Sequence, residues 1–180
     1  MAGINKLDLK KSRRALFTAP RDQFIEVTAP PVAYLMVDGQ GDPNTVAAYR
    51  AAVEGLYAAA YAIKFACKAD GGDFVVPALE GVWSGRDPSS FTARRKQEWE
   101  WTMMIMMPDH VTAGHLVAAS DKTRRKRGPP PDSLRLETLD EGLCLQALHV
   151  GSYDDEGPLL ERLHGQIMPA GGYDFAGRHH

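Results

Sequence analysis

Glu98-Trp-Glu-Trp-Thr-Met-Met-Ile-Met-Met107 is the stretch from which the fold is read. Side chains alternate between the two faces of a strand, so Trp99, Trp101, Met103, Ile105 and Met107 share one face. Glu98, Glu100, Thr102, Met104 and Met106 take the other. Pro108-Asp109 closes the run. Upstream, Val32-Ala-Tyr-Leu-Met-Val37 follows Pro30-Pro31 and stops at Gly39-Gln-Gly41, which predicts a buried strand and a turn. Asp42 or Asn44 is the expected helix cap. Val46, Tyr49, Val53, Leu56, Ala60 and Ile63 recur at spacings of three and four, the inner face of a long helix. Phe74-Val-Val76 predicts another strand running to Trp83, with a polar hairpin loop over 85–96.

Downstream, residues 110–126 read as a helix and Gly128-Pro-Pro-Pro131 breaks the chain. Strands are expected over 134–139 and 143–150, then a helix with Leu159, Leu160, Leu163 and Ile167 inward. The order of elements thus repeats. The expectation is an α+β fold of two tandem strand–helix–strand–strand repeats, about 24–108 and 133–180, with pseudo-twofold symmetry and a ligand cleft between them. Residues 1–23 read as an N-terminal extension packed on the domain formed by 24–180.

Composition narrows the function. The chain has 180 residues, 44% hydrophobic and 24% charged, with a net charge of −2. That balance gives no pull towards nucleic acid or anionic membrane. No window offers the ~20 apolar residues of a membrane helix, and no signal-peptide run is present, so a cytoplasmic protein is expected. Cys67 and Cys144 read as reduced core thiols. The histidines show no metal spacing, and no nucleotide loop or nucleophile elbow occurs, so neither metal nor cofactor is expected. Arg124–Arg127 belongs to a basic run expected to be a solvated loop.

Two segments carry the chemistry, Leu79-Glu-Gly-Val-Trp83 and Glu98-Trp-Glu-Trp101. Trp83, Trp99 and Trp101, with Met103, form a candidate aromatic wall, although an aromatic stripe also suits a core. Glu80 lies between apolar residues, where burial would favour proton exchange; a strand-end glutamate facing water fits the same pattern. Glu100, on the opposite face from the tryptophans, is expected at solvent or an edge. Tyr153, after Gly151, can donate a hydrogen bond to a ligand oxygen. Tyr34 and His149 complete the candidate lining.

These segments resemble the GyrI-like small-molecule-binding family. The resemblance runs from Lys6 to the end through Val37-Asp-Gly-Gln-Gly-Asp-Pro-Asn44, Pro77-Ala-Leu-Glu-Gly-Val-Trp83, Trp99-Glu-Trp-Thr-Met-Met-Ile105, Arg135-Leu-Glu-Thr-Leu-Asp-Glu-Gly-Leu-Cys144, His149-Val-Gly-Ser-Tyr-Asp-Asp155 and Gly177-Arg-His-His180. It implies paired repeats around a ligand cleft. It also implies functions ranging from multidrug sensing and gyrase inhibition to hydrolysis of cyclopropane-bearing genotoxins. Such proteins continue past the His-His pair with a strand whose first Glu faces the pocket; this sequence stops at His180, so that role is absent or falls to Glu80. The favoured expectation is a stand-alone hydrolase of cyclopropanoid compounds acting in detoxification, with Glu80 and Tyr153 catalytic. The rival is a non-catalytic binder of drugs or of DNA gyrase. The expected assembly is a monomer or weak dimer.

Overall fold

The computed structural model describes residues 6–21, 23–85, 90 and 93–180. Its centre is an antiparallel four-stranded sheet in the order β3-β4-β2-β5: β2 (Val32–Gln40), β3 (Glu80–Gly85), β4 (Trp99–Met106) and β5 (Arg135–Leu139). A second, two-stranded sheet pairs β1 (Ile25–Ala29) with β6 (Gly142–Gln146). The fold is α+β, as expected. The helices are the short α1 (Leu9–Ser12), α2 (Ala47–Ala69), α3 (Ala113–Arg127) and α4 (Gly157–Arg162), the last running through a π turn (Leu163–Ile167) into α5 (Met168–Gly171).

Alternation in β4 decides what each face meets. Trp101, Met103 and Ile105 join Leu35 and Val37 under α2, which contributes Ala52, Leu56, Ala59, Ala60, Ile63 and Cys67. The close approach depends on Gly39, because a Cβ there would sit 2.1 Å from Cη2 of Trp101. Met104 and Met106 face the other way, into a second cluster with Tyr34, Met36 and Leu9 of α1. The inner half of β4 is therefore buried on both faces, which explains its unbroken methionine-rich run. The N-terminal segment is stitched to the domain as well: Leu7 N–H donates to the Asp73 carbonyl and Val75 N–H to the Leu7 carbonyl.

Several expectations need correcting. Neither Asp42 nor Asn44 caps α2; Asp42 instead accepts from Asn44 in a local turn, and the helix begins after Val46 without a side-chain cap. The strand expected from Phe74 starts only at Glu80, Phe74 making an isolated bridge to Leu7. Lys64 holds this segment down, its amine donating to the Phe74 carbonyl (2.7 Å) and the Asp73 carboxylate, because a buried ammonium needs partners. The basic run is solvent-exposed but helical, forming the last turn of α3, where its charge suits the helix C-terminus. The hairpin loop expected over 85–96 lies partly outside the described residues; its end is a 3₁₀ turn at Lys96–Glu98.

The first half follows strand–helix–strand–strand order as β2, α2, β3 and β4. The second half departs from a free-standing repeat. β5 joins the first sheet beside β2, β6 pairs with β1, and after α5 the chain returns to the sheet only as His179, bridging Trp83 at the edge of β3.

Candidate functional site

A cleft of about 830 Å³ wraps around the β3 edge, between the first sheet and the elements that follow β5. Glu80 stands opposite Met104 and Trp83 opposite Trp101 in the β3–β4 register. Three residues apart in a strand, Glu80 and Trp83 project to opposite faces. The cleft therefore has two ends.

The inner end is ionic. The Tyr34 hydroxyl donates to Glu80 Oε2 (3.3 Å), and His180 Nε2 lies 3.2 Å from that same oxygen. His180 Nδ1 lies 2.9 Å from Glu141 Oε2, so one ring bridges two carboxylates. Burial alone would lower the His180 pKa; hydrogen bonds and charge from Glu141 and Glu80 outweigh it and raise it to about 9. The ring is an imidazolium at neutral pH. Burial would raise Glu141, but the hydrogen bond and charge of His180, with the charge of Arg178, together hold it below the usual carboxylate range. Burial and the Glu80 charge push the Tyr34 phenol up, keeping it a neutral donor. Glu80 Oε1 is buried and has no hydrogen-bond partner among the described residues.

The outer end is aromatic. Tyr49 of α2 stacks on Trp83 (6.4 Å, 29°), and Trp83 meets Trp99 edge-on at 5.7 Å. The Arg94 guanidinium lies 5.1 Å over the Trp99 ring and donates to the Tyr153 carbonyl and the Asp154 carboxylate, each at 2.9 Å. Lys96 also pairs with Asp154. Glu156, at the start of α4, lines this end; burial raises its carboxyl pKa, opposed by His149 and Arg94. Beside it, His164 and His179 meet through their Nε2 atoms at 2.9 Å. Burial and His164 lower His179 to about 4, so this pair is uncharged at neutral pH.

The structure brings Glu80, Tyr34, Trp83, Trp99, Met103 and Tyr153 onto the cleft lining. Trp101 is not among the lining residues. It is 2% exposed, sealed under Gly39, with Nε1 donating to the Gly41 carbonyl (3.3 Å). His149 is not on the lining either, its Nε2 meeting the Ser152 carbonyl at 3.0 Å. Tyr153 is 81% exposed and sits at the rim.

The match to known families covers residues 22–180 and is to the GyrI-like small molecule binding domain. The chain belongs to the GyrI-like family. Among solved structures, this GyrI-like chain is similar to an uncharacterized conserved protein from Listeria innocua, at 34% identity over 97% of this chain and 88% of that one, with a TM-score of 0.84. It is also similar to two structures described as hydrolases from the same organism. One is 35% identical over 93% of this chain and 82% of that one (TM-score 0.78). The other is 33% identical over 97% and 91% (TM-score 0.81). None of the curated proteins matches the chain. Among the described residues, no helix of this GyrI-like domain is long and apolar enough to cross a membrane.

The residues missed from sequence are Tyr49, Glu141, Glu156 and His180. Tyr49 belongs to the helix's apolar repeat and reads as core. Glu141 sits in an Asp-Glu-Gly turn, where an acidic residue is ordinary. Glu156 follows two aspartates and is hidden among them. Glu141 and His180 each lay in a motif of the resemblance, without anything to say that the His180 ring faces both Glu141 and Glu80.

Proposed function

We propose that this GyrI-like domain binds flat apolar molecules, electrophilic or cationic, with the ring on the Trp83–Trp99 wall. The same cleft hydrolyses strained cyclopropane-bearing electrophiles. Similarity to two proteins described as hydrolases supports the enzymatic part. The observation that carries the reading is Glu80 Oε1. A buried carboxylate oxygen without a partner is costly, and its place in an aromatic cleft leaves it for a ligand cation or a water. Tyr34 and His180 hold Oε2, which fixes the carboxylate while Oε1 accepts a proton from the attacking water. In this reading the Tyr153 hydroxyl, exposed at the rim, stabilises the negative charge developing on the ligand's carbonyl. Acid–base help of this kind contributes roughly 10²–10⁴ in rate.

The test is incubation with a cyclopropane-bearing alkylating agent under multiple turnover, alongside tryptophan quenching by a planar ligand. Hydrolysed product in excess of enzyme is expected, falling about 10²-fold in Glu80→Gln. Trp83→Phe should lose most of the quenching and Trp101→Phe little. Quenching without product would leave a drug-binding protein; neither would remove the reading altogether.

A further inference from the structure

We propose that Glu156 is the carboxyl group that serves a ring held on the Trp83–Trp99 wall, donating a proton to its carbonyl oxygen as the strained ring opens. This rests on the reading above and adds to it a residue on the aromatic side of β3.

The register separates Glu80 from that wall. Glu80 shares its face with Met104 and Tyr34, whereas Trp83 shares its face with Trp101. Its partners Tyr34 and His180 belong to the inner end. A chain of contacts ties Glu156 to the outer end instead. Trp83 meets Trp99; Arg94 covers Trp99 and grips the backbone of Tyr153 and the side chain of Asp154; Glu156 caps the same turn at the head of α4. It is half-buried, lines the cleft, and makes no cap hydrogen bond and no ion pair among the described residues. A carboxyl in that setting is free for a ligand.

Its protonation suits a donor. Burial raises its pKa, and the charged groups facing it, His149 before the turn and Arg94 before β4, reduce the shift without reversing it. Two glutamates in one cleft thus have divergent environments, one accepting from Tyr34 and His180 and the other unpaired, the usual basis for dividing acid from base. In the step itself the oxygen of water bonds to the ring carbon and the ring C–C bond breaks. Its electron pair flows to the carbonyl oxygen, which takes the Glu156 proton. The attacking oxygen gives its proton to Glu80, Glu80 releases it to solvent and Glu156 takes one back, so the net change is addition of one water.

Glu156→Gln retains the shape and removes the proton. Turnover of a cyclopropyl ketone should fall about 10²-fold while a neutral planar probe still quenches the tryptophans as in wild type. Wild-type turnover should decline as pH rises through the Glu156 titration, and Glu156→Gln should lose that limb. Wild-type turnover in Glu156→Gln, or a wild-type profile without the alkaline limb, overturns the inference while leaving Glu80 in place. Failure of the probe to bind the wild-type protein overturns both.

Discussion

One imidazole sets the charge of the inner cleft. His180 brings a positive ring between Glu80 and Glu141, so three ionisable groups carry a net charge of about −1 rather than −2. The sign of the pH effect follows. His180 is raised from 6.5 to about 9, so its stabilisation is complete below the unfolded value and is lost as pH rises through about 9. Glu141 is lowered, so its share is present above its ordinary value of 4.5 and is lost as pH falls through the lowered one. We expect the wild-type melting temperature to fall between pH 6.5 and 9 by more than that of His180→Gln, which has no ring to deprotonate. Thermal melts at half-unit steps measure this, and parallel curves for the two proteins would contradict it.

At the scale of elements, α2 presents a conflict between local preference and packing. Gly55 lies inside this 23-residue helix, where alanine would be better by about 1 kcal/mol on helix propensity. A Cβ at Gly55, however, would meet Cδ of Pro131 at 2.5 Å, because the proline segment after α3 lies across the helix there. Overpacking of this kind costs about 1–3 kcal/mol, so Gly55→Ala should be neutral to destabilising, by up to about 2 kcal/mol. Urea unfolding decides it, and a stabilised variant would mean the proline segment yields. The same opposition explains which elements were readable. The alternation of residues 98–107 and the three–four spacing of α2 are local periodicities, and both elements formed. In α2, Leu56, Ala60 and Ile63 are buried and Tyr49 is packed against them, whereas Val53 joins neither core cluster and Val46 precedes the helix. Strand β3 was misjudged at its start because Phe74-Val-Val76 owes its burial to Leu7 and Lys64, partners far off in sequence or on another element.

For the molecule as a whole, Asp154 joins the two halves of the chain across the cleft. Arg94 and Lys96 reach it from 60 and 58 residues away, and Arg94 does so with φ at 54°, a left-handed value that costs a non-glycine residue energy. These pairs are exposed and hence screened by salt. Asp154→Asn should raise both association and dissociation rates of a planar ligand severalfold and flatten their dependence on ionic strength. Stopped-flow quenching at low and high salt tests this; unchanged rates would place ligand entry elsewhere.

By itself the sequence determined the α+β class, the long helix, the central strand and the segments that border the cleft, because each is written in local periodicity and turn residues. It also supplied Glu80, Trp83 and Trp99 as lining residues. Only the tertiary structure decided that Trp101 is sealed beneath Gly39, that Glu80 and Trp83 face opposite ways around one edge, and that His180 and Glu156 join the cleft from the distant end of the chain. A residue's type and spacing report which face it occupies on its own strand or helix. What covers that face, and which charge stands opposite, depends on chain segments a hundred or more residues away, and no local pattern encodes their approach.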